Sequence, residues 1–325
     1  MARALIALGS NLGDRKAALE AAVAVLGALA ETRFLAASSW MESSHVGGPP
    51  QPDYLNGAAL IETSLGPFDL LDRLQQIERA AGRVRTVYWG PRTLDLDLLL
   101  YDDAVVETDR LRLPHPRLAF RRFVLLPAAE IAPTMLHPVF FTTIAALLRN
   151  WELTKPYLAL LGPPACGKTR LASEIAARTG CRLLPDPVAA GVDSAGPELA
   201  REIEFLACRS HALARQTWPD VNGWTVSDFW LAQSLAWWAA EHAEGDMPQI
   251  EDAYRGYCSQ AVPARFVVAI NLDGATADVA KDEFGERLRK AMRGLAGRGG
   301  LPPVLWLSTR DWEKAVVEVL AVLAG

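Results

Sequence analysis

Two aspartates, Asp95 and Asp97, follow Arg92 in the run Trp89-Gly90-Pro91-Arg92-Thr93-Leu94-Asp95-Leu96-Asp97-Leu98-Leu99-Leu100-Tyr101. From Thr93 onward this run is largely apolar and is opened by a Gly-Pro turn, the pattern of a β-strand. Side chains alternate across a strand, so both carboxylates share one face, about 7 Å apart, while Leu94, Leu96 and Leu98 share the other. Beside the Arg92 guanidinium such a pair suits Mg²⁺ and polyphosphate. Magnesium prefers carboxylate and phosphate oxygens, and paired ions can clamp both oxygens of a phosphoryl transfer. Taken alone, Asp-Leu-Asp fits a solvated acidic edge strand equally well.

A second constellation lies further along. The apolar stretch Tyr157-Leu158-Ala159-Leu160-Leu161 runs into Gly162-Pro163-Pro164-Ala165-Cys166-Gly167-Lys168-Thr169, which has the form G-x-x-x-x-G-K-T. A helix predicted over 169–179 follows at once, so the strand–loop–helix context that such a motif requires is present. Between Gly162 and Gly167, backbone N–H groups and the helix N-terminus can cradle phosphates. Lys168 is then expected on the β- and γ-phosphates and Thr169 on one Mg²⁺ held with ATP.

The elements that must carry these residues divide in two. At 325 residues, half of them hydrophobic and 22% charged, the chain has the length and apolar content for two globular domains. The seam falls near Trp151-Glu152-Leu153-Thr154-Lys155-Pro156, giving domains 1–152 and 153–325. The first half reads strand 3–8, helix 14–29, strand 33–41, loop 42–53, strand 54–64, helix 67–80, strands 94–101 and 110–112, helix 117–120 continuing to 123–127, and helix 142–148. Asp14 can cap the first helix, and Pro67 can occupy the first turn of the next. Strands and helices interleave without parallel-sheet rhythm, so an α+β ferredoxin-like sandwich fits the first domain. An α/β parallel sheet of P-loop kinase type fits the second.

Charge and cysteine usage exclude other classes. The net charge of -5 is spread over both halves, and no basic field points to nucleic acid. No polybasic run points to a membrane surface, and no apolar run is long enough to span a bilayer. Met1-Ala2-Arg3 leads directly into a strand with no secretory pattern. All four cysteines (Cys166, Cys181, Cys208 and Cys258) lie in the second half, at spacings unlike a zinc site, and read as thiols of a reduced, cytoplasmic compartment. One lysine, Lys16, and fourteen arginines precede Lys155. Arginine suits bidentate phosphate binding, although a G+C-rich genome accounts for the bias as well.

Five separated segments of the first half carry a resemblance. They are Ala4-Leu5-Ile6-Ala7-Leu8-Gly9-Ser10-Asn11-Leu12-Gly13-Asp14, Gln51-Pro52-Asp53-Tyr54-Leu55-Asn56 with Glu62-Thr63-Ser64-Leu65, the Trp89–Tyr101 run, Pro114-His115-Pro116-Arg117, and Glu130-Ile131-Ala132-Pro133. In this order, over roughly residues 3–150, they resemble the 6-hydroxymethyl-7,8-dihydropterin pyrophosphokinase family of folate biosynthesis. The resemblance implies transfer of pyrophosphate from ATP to the pterin alcohol with release of AMP. It implies Tyr54, Trp89 and Phe123 as aromatic walls and Asn56 as the reader of the pterin edge, with backbone help from Ser43, Ser44 and Val46. Arg92, Arg110, Arg112, His115 and Arg121 would gather on the triphosphate, and Arg83 and Arg85 would lie on a closing loop. Gln75 and Glu78 would help to hold the nucleotide, and Asp95 and Asp97 would ligate two Mg²⁺ ions. The sequence departs from the family at Gly47-Gly48-Pro49-Pro50, in the shorter loop from Arg83 to Trp89, and at Arg112, where relatives carry a small hydroxyl residue.

The second half resembles the deoxynucleoside kinases more loosely. Asp186-Pro187-Val188 stands where that family has an acidic base before Pro-Val, usually Glu, and Trp224-Thr225-Val226-Ser227-Asp228-Phe229 resembles a third strand, with Asp228 holding Mg²⁺ through water. The arginine usual at that point is missing. The arginine-rich lid is represented only by Arg287, Arg289, Lys290 and Arg293, which fit the solvated face of helix 278–294 equally well. A nucleoside acceptor, another small-molecule acceptor of ribosylnicotinamide type, and a non-catalytic nucleotide-binding or dimerising module all remain open, as does a homodimer.

Overall fold

The structure is a computed structural model that describes residues 1–45, 50–83, 90–163, 165–190, 198–219, 223–242, 247–271, 279–297, 300–308 and 311–325. The chain forms two compact units, Met1–Glu152 (with Ala324–Gly325) and Leu153–Leu323.

In the first unit, β1 (Ala2–Ser10), α1 (Arg15–Gly27), β2 (Thr32–Ala37), β3 (Met41–Ser43), β4 (Tyr54–Thr63), α2 (Pro67–Ala80) and β5 (Asp95–Tyr101) follow in order. The strands form an antiparallel sheet ordered β2-β4-β1-β5, with β3 paired to β4. Asp14 caps α1 by accepting the Ala17 N–H at 3.0 Å, and Pro67 opens α2. Leu19, Ala22 and Leu26 of α1 and Leu70, Leu74 and Ile77 of α2 pack on Ile6, Leu8, Ile61, Leu96 and Leu98 to form the core. Helical residues three and four apart thus cover the apolar face of strands that alternate with period two.

Three local departures shape the other face of this sheet. The expected strand 33–41 is two strands, because the Ser38 hydroxyl accepts the Ala58 N–H at 2.9 Å and donates to the Ser39 carbonyl at 2.9 Å. In β5 the register to β1 shifts between Leu5 and Ile6, which face Leu100 and Leu98. Leu99 is the extra residue of this bulge, and its carbonyl is left to accept the His115 N–H at 2.8 Å. The helix expected to continue from 117–120 into 123–127 is broken instead. A 3₁₀ turn, Leu118–Phe120, and α3 (Arg122–Ile131) are separated by Arg121, which is extended at φ -130 and ψ 106. Between β5 and this turn, β6 (Val106–Glu107) pairs with β7 (Arg112–Leu113). The unit closes with β8 (Leu136–His137), β9 (Thr142–Thr143) and α4 (Ile144–Leu153).

The second unit is a parallel sheet. It comprises β10 (Tyr157–Leu161), α5 (Lys168–Thr179), β11 (Arg182–Leu184), α6 (Glu198–Ala212), β12 (Thr225–Ser227), α7 (Gln233–Glu241), α8 (Met247–Cys258), β13 (Phe266–Asn271), α9 (Val279–Gly297), β14 (Val304–Ser308) and α10 (Trp312–Ala324). The strand order is β11-β12-β10-β13-β14. Every residue of β10 is buried, which is why it reads as an unbroken apolar run rather than an alternation. Among the described residues, no helix is long and apolar enough to cross a membrane.

Candidate functional site

A cavity of about 650 Å³ opens above the polar face of the first sheet. Its floor is β1 beside β5, where Asp95 faces Gly9 and Asp97 faces Ala7 across the ladder. Small residues opposite both carboxylates leave the space above them open. Of the residues expected from the sequence, Ser43, Ser44, Tyr54, Asn56, Gln75, Glu78, Arg83, Arg92, Asp95, Asp97, His115, Arg121 and Phe123 all line this one cavity.

Two expected residues stand elsewhere. Arg110 is exposed, pairs with Asp72 on α2 and lies over the Phe68 ring. Arg112 is exposed on β7. Val46, Arg85 and Trp89 lie outside the described residues. The cavity also uses residues for which the sequence offered no role, notably Ala7, Gly9, Gln51, Leu71 and Arg117. Small residues at alternate positions of β1, read against the two aspartates, would have pointed to Ala7 and Gly9.

Charges in the cavity are arranged in opposition. Arg92 donates through Nη1 to Asp95 at 2.6 Å, and Arg83 lies 2.6 Å from the other Asp95 oxygen. Arg83 also pairs with the buried Glu78, whose Oε1 accepts the Leu96 N–H at 2.8 Å. His115 Nε2 is 3.9 Å from Asp97. Burial pushes the Asp95 carboxyl up, the Asp97 charge adds to this, and Arg92 and Arg83 oppose it. Burial pushes Asp97 up as well, but His115, Arg121, Arg92 and Arg83 outweigh it and leave that carboxyl below its ordinary value. Burial raises Glu78 against the Leu96 N–H and Arg83, and it raises the Tyr54 phenol against Arg92.

Aromatic surface stands beside these charges. Tyr54 and Phe123 line the cavity, and the Arg121 guanidinium lies 5.6 Å from the Phe123 ring centre. Asn56 donates through Nδ2 to Ser43 Oγ at 2.9 Å. Among the described residues no group of three or more His, Cys, Asp or Glu could hold a metal by itself. Two carboxylates on one strand face nevertheless fit Mg²⁺, which takes one or two carboxylates and completes its shell with water and substrate phosphate. The set can hold a polyphosphate and its cation beside a flat ring.

The second unit has its own cluster around the Gly162–Thr169 loop. Gly167 caps α5 with φ +95, a left-handed conformation that glycine adopts freely. A Cβ on Gly162 would come within 2.7 Å of Cys166 Sγ and 3.0 Å of the Ile270 carbonyl. Lys168 Nζ donates to the carbonyls of Gly162 and Pro163, each at 2.9 Å. Thr169 donates to Asp228 at 2.6 Å, and the other Asp228 oxygen accepts the Asp186 N–H at 2.6 Å. Asp186 is gripped by Arg209, at 3.3 Å from Nε and 3.1 Å from Nη2. Arg209 is 2% exposed and also meets Glu202 and Ser234. A charged residue on the inner face of α6 would have been its signal in the sequence. Arg287 donates to the Ala240 carbonyl and Arg289 packs on Trp306, so both are bound to the body of the unit.

A cavity lined by arginines and paired carboxylates on an antiparallel sheet is the setting in which comparison with known proteins is made. Residues 5–133 match the 7,8-dihydro-6-hydroxymethylpterin-pyrophosphokinase family. The 2-amino-4-hydroxy-6-hydroxymethyldihydropteridine pyrophosphokinase of Synechocystis is 44% identical over 151 residues, spanning 46% of this chain and 77% of the relative. That of Bacillus subtilis is 52% identical over 128 residues, spanning 39% of this chain and 77% of the relative. The chain belongs to this family through its first unit.

Solved structures similar to the chain include a deoxyadenosine kinase from M. mycoides with bound dATP. It is 14% identical, covers 50% of this chain and 96% of its own, and has a TM-score of 0.37. The Plasmodium falciparum HPPK-DHPS with pteroate is 12% identical, covers 94% of this chain and 81% of its own, and also has a TM-score of 0.37. At such scores neither likeness bears on what the second unit does.

Proposed function

We propose that the first unit transfers the terminal pyrophosphoryl group of ATP to the hydroxymethyl group of 6-hydroxymethyl-7,8-dihydropterin. The hydroxymethyl oxygen bonds to the β-phosphorus, the bond from that phosphorus to the α,β-bridging oxygen breaks, AMP departs, and the hydroxyl proton passes to solvent. One observation carries this reading: Asp95, Asp97, Arg92 and His115 share a single cavity with Tyr54, Asn56 and Phe123. Family membership supports it independently.

In this reading Tyr54 and Phe123 hold the pterin ring by its faces and Asn56 meets its edge. Arg92, Arg121 and His115 neutralise the triphosphate, and Arg83 moves from Asp95 and Glu78 onto phosphate oxygen. Asp95 and Asp97 would hold two Mg²⁺ ions, which when bound supply charge neutralisation and activation of the attacking hydroxyl. Catalysis comes from positioning and charge, with no covalent enzyme intermediate. The β-α-β-β-α-β order of β1, α1, β2, β4, α2 and β5, with its antiparallel sheet order, supports a ferredoxin-like reading of this unit. Asp95→Asn and Asp97→Asn test the metal seat. Each should lower turnover on the order of 10³-fold while the fold persists, and near-normal turnover in either would refute it.

For the second unit we propose a P-loop that binds the phosphates of ATP through Lys168 and, with Thr169 and Asp228, one Mg²⁺. The parallel sheet order and the Thr169–Asp228 contact support it. A (deoxy)nucleoside acceptor activated by Asp186 is the leading reading. One observation favours a non-catalytic nucleotide-binding module instead: Arg209 engages both oxygens of Asp186. Screening deoxynucleosides with labelled ATP, in wild type and Lys168→Ala, separates the two. Transfer that depends on Lys168 supports a kinase, and ATP binding without transfer supports the module.

A further inference from the structure

Residue 9 carries no side chain, and no described neighbour requires it to lack one. Gly9 is buried on β1 and lines the cavity, with Asn56 opposite it on β4 and Asp95 opposite it on β5. Its backbone is ordinary antiparallel strand, outside the left-handed region that favours glycine. A Cβ at this position would meet Asn56 Oδ1 at 3.6 Å, Tyr54 Cδ1 at 3.8 Å and Asp95 Cβ at 4.0 Å, all of them ordinary contact distances. Gly57, which follows Asn56 on β4, is the opposite case. A Cβ there would overlap the Trp40 ring, so packing alone accounts for that glycine.

A glycine inside a strand forgoes side-chain packing and gives the unfolded chain more freedom to lose. Where the fold itself has no use for it, it marks a place where another group comes close to the backbone. The three groups that a methyl on residue 9 would touch belong to the ring wall (Asn56 and Tyr54) and to the carboxylate pair (Asp95). That methyl would therefore stand in the passage between the two. Neighbouring strands lie just under 5 Å apart, so the backbones at Asn56 and Asp95, one on each side of β1, are separated by about 10 Å. A ligand whose edge is read at Asn56 and whose reacting oxygen lies beside Asp95 must cross β1 at residue 9.

We propose that Gly9 is a specificity-determining residue, over whose bare backbone the junction between the dihydropterin ring and its hydroxymethyl carbon passes in van der Waals contact. This rests on the pyrophosphokinase reading of the same cavity. A methyl group at residue 9 would push the reacting oxygen aside by on the order of 1 Å, and a misplacement of that size costs about 10²-fold in rate. The demand for glycine comes from the ligand, because the strand itself admits alanine.

The test compares Gly9→Ala with wild type in the full chain, with ATP, Mg²⁺ and 6-hydroxymethyl-7,8-dihydropterin. Activity and stability should part company. The kcat/KM for the pterin should fall about 10²-fold, while the KM for ATP stays within about twofold. The denaturation midpoint of the first unit should equal or exceed that of wild type, because alanine fits the strand and restricts the unfolded chain. 7,8-Dihydropterin, which lacks the hydroxymethyl group, locates the contact when used as an inhibitor. Its inhibition constant should stay within about threefold of the wild-type value, since the contacts to the ring are untouched. Unchanged pterin kinetics, an equal loss for the substrate and the inhibitor, or a lowered midpoint together with a raised KM for ATP would overturn the proposal. A wild-type chain that makes no pterin diphosphate, or that 7,8-dihydropterin does not inhibit, would overturn the underlying reading and this inference with it.

Discussion

Asp97 stands two residues beyond Asp95 on one face of β5, yet the two carboxyls are driven in opposite directions, Asp95 above its ordinary value and Asp97 below it. Asp95 takes the burial cost and the repulsion of its neighbour, while Asp97 collects the field of His115, Arg121, Arg92 and Arg83.

The signs of the two contributions therefore differ. A carboxyl raised in the folded state weakens the fold once ionised, and the cost vanishes as pH falls below its unfolded value. A carboxyl lowered in the folded state stabilises above its unfolded value, and that gain is lost as pH falls through its folded value. Without Mg²⁺ at pH 7, Asp95→Asn should melt no lower than wild type, whereas Asp97→Asn should melt lower. The Asp95 difference should vanish as pH falls below the ordinary carboxyl range, whereas the Asp97 difference should persist until pH falls through that group's lowered folded value. Thermal melts across this range check it, and an Asp95→Asn variant that melts well below wild type would contradict the assignment.

Gly57 on β4 is required by Trp40, because a Cβ at 57 would overlap the Trp40 ring. Gly57→Ala should lower stability by about 1–3 kcal/mol through overpacking. Chemical denaturation measures this, and an unchanged midpoint would show that Trp40 can move aside.

Much of the first site was legible because its chemistry sits on a strand. The two-residue alternation alone places Asp95 and Asp97 on one face, and the observed β5 keeps it. What escaped depends on contacts between distant segments. The break at Arg121 has no glycine or proline at 121 to announce it, yet it separates two helical turns and leaves Arg121 on the cavity wall. Arg110, expected on the triphosphate, pairs with Asp72 of α2 at the surface, a contact between distant segments that the sequence does not show. The anchoring of His115 depends on the Leu99 bulge, which an uninterrupted leucine run does not reveal. In the second unit β10 and α5 were readable from the loop motif, whereas Arg209 became visible only when α6 folded against Asp186.

Arg209 offers a stability prediction of its own. Its side chain is 3% exposed and faces Asp186 and Glu202. Arg209→Met keeps much of the volume but leaves two carboxylates without their partner, which should cost about 3–5 kcal/mol. Denaturation of the full chain, followed by a probe in the second unit, reads this out. A loss below about 1 kcal/mol, the range of exposed pairs, would mean that the ion pair is effectively solvated.

Lys168→Ala should remove phosphate binding in the second unit, since the ammonium is the group expected on the β- and γ-phosphates. No residue assigned to pterin turnover lies beyond Phe123, so that activity should stay within about twofold, as for independent sites. Parallel ATP-binding and pterin assays decide it, and a pterin loss beyond tenfold would mean that the two sites are coupled.

The most direct measurement is the nucleotide released when the full chain turns over ATP with 6-hydroxymethyl-7,8-dihydropterin and Mg²⁺. Attack at the β-phosphorus predicts AMP in one-to-one ratio with pterin diphosphate, with formation of both lowered on the order of 10³-fold by Asp97→Asn. ADP as the main product, accompanied by a pterin monophosphate, would place the attack at the γ-phosphorus and contradict the account.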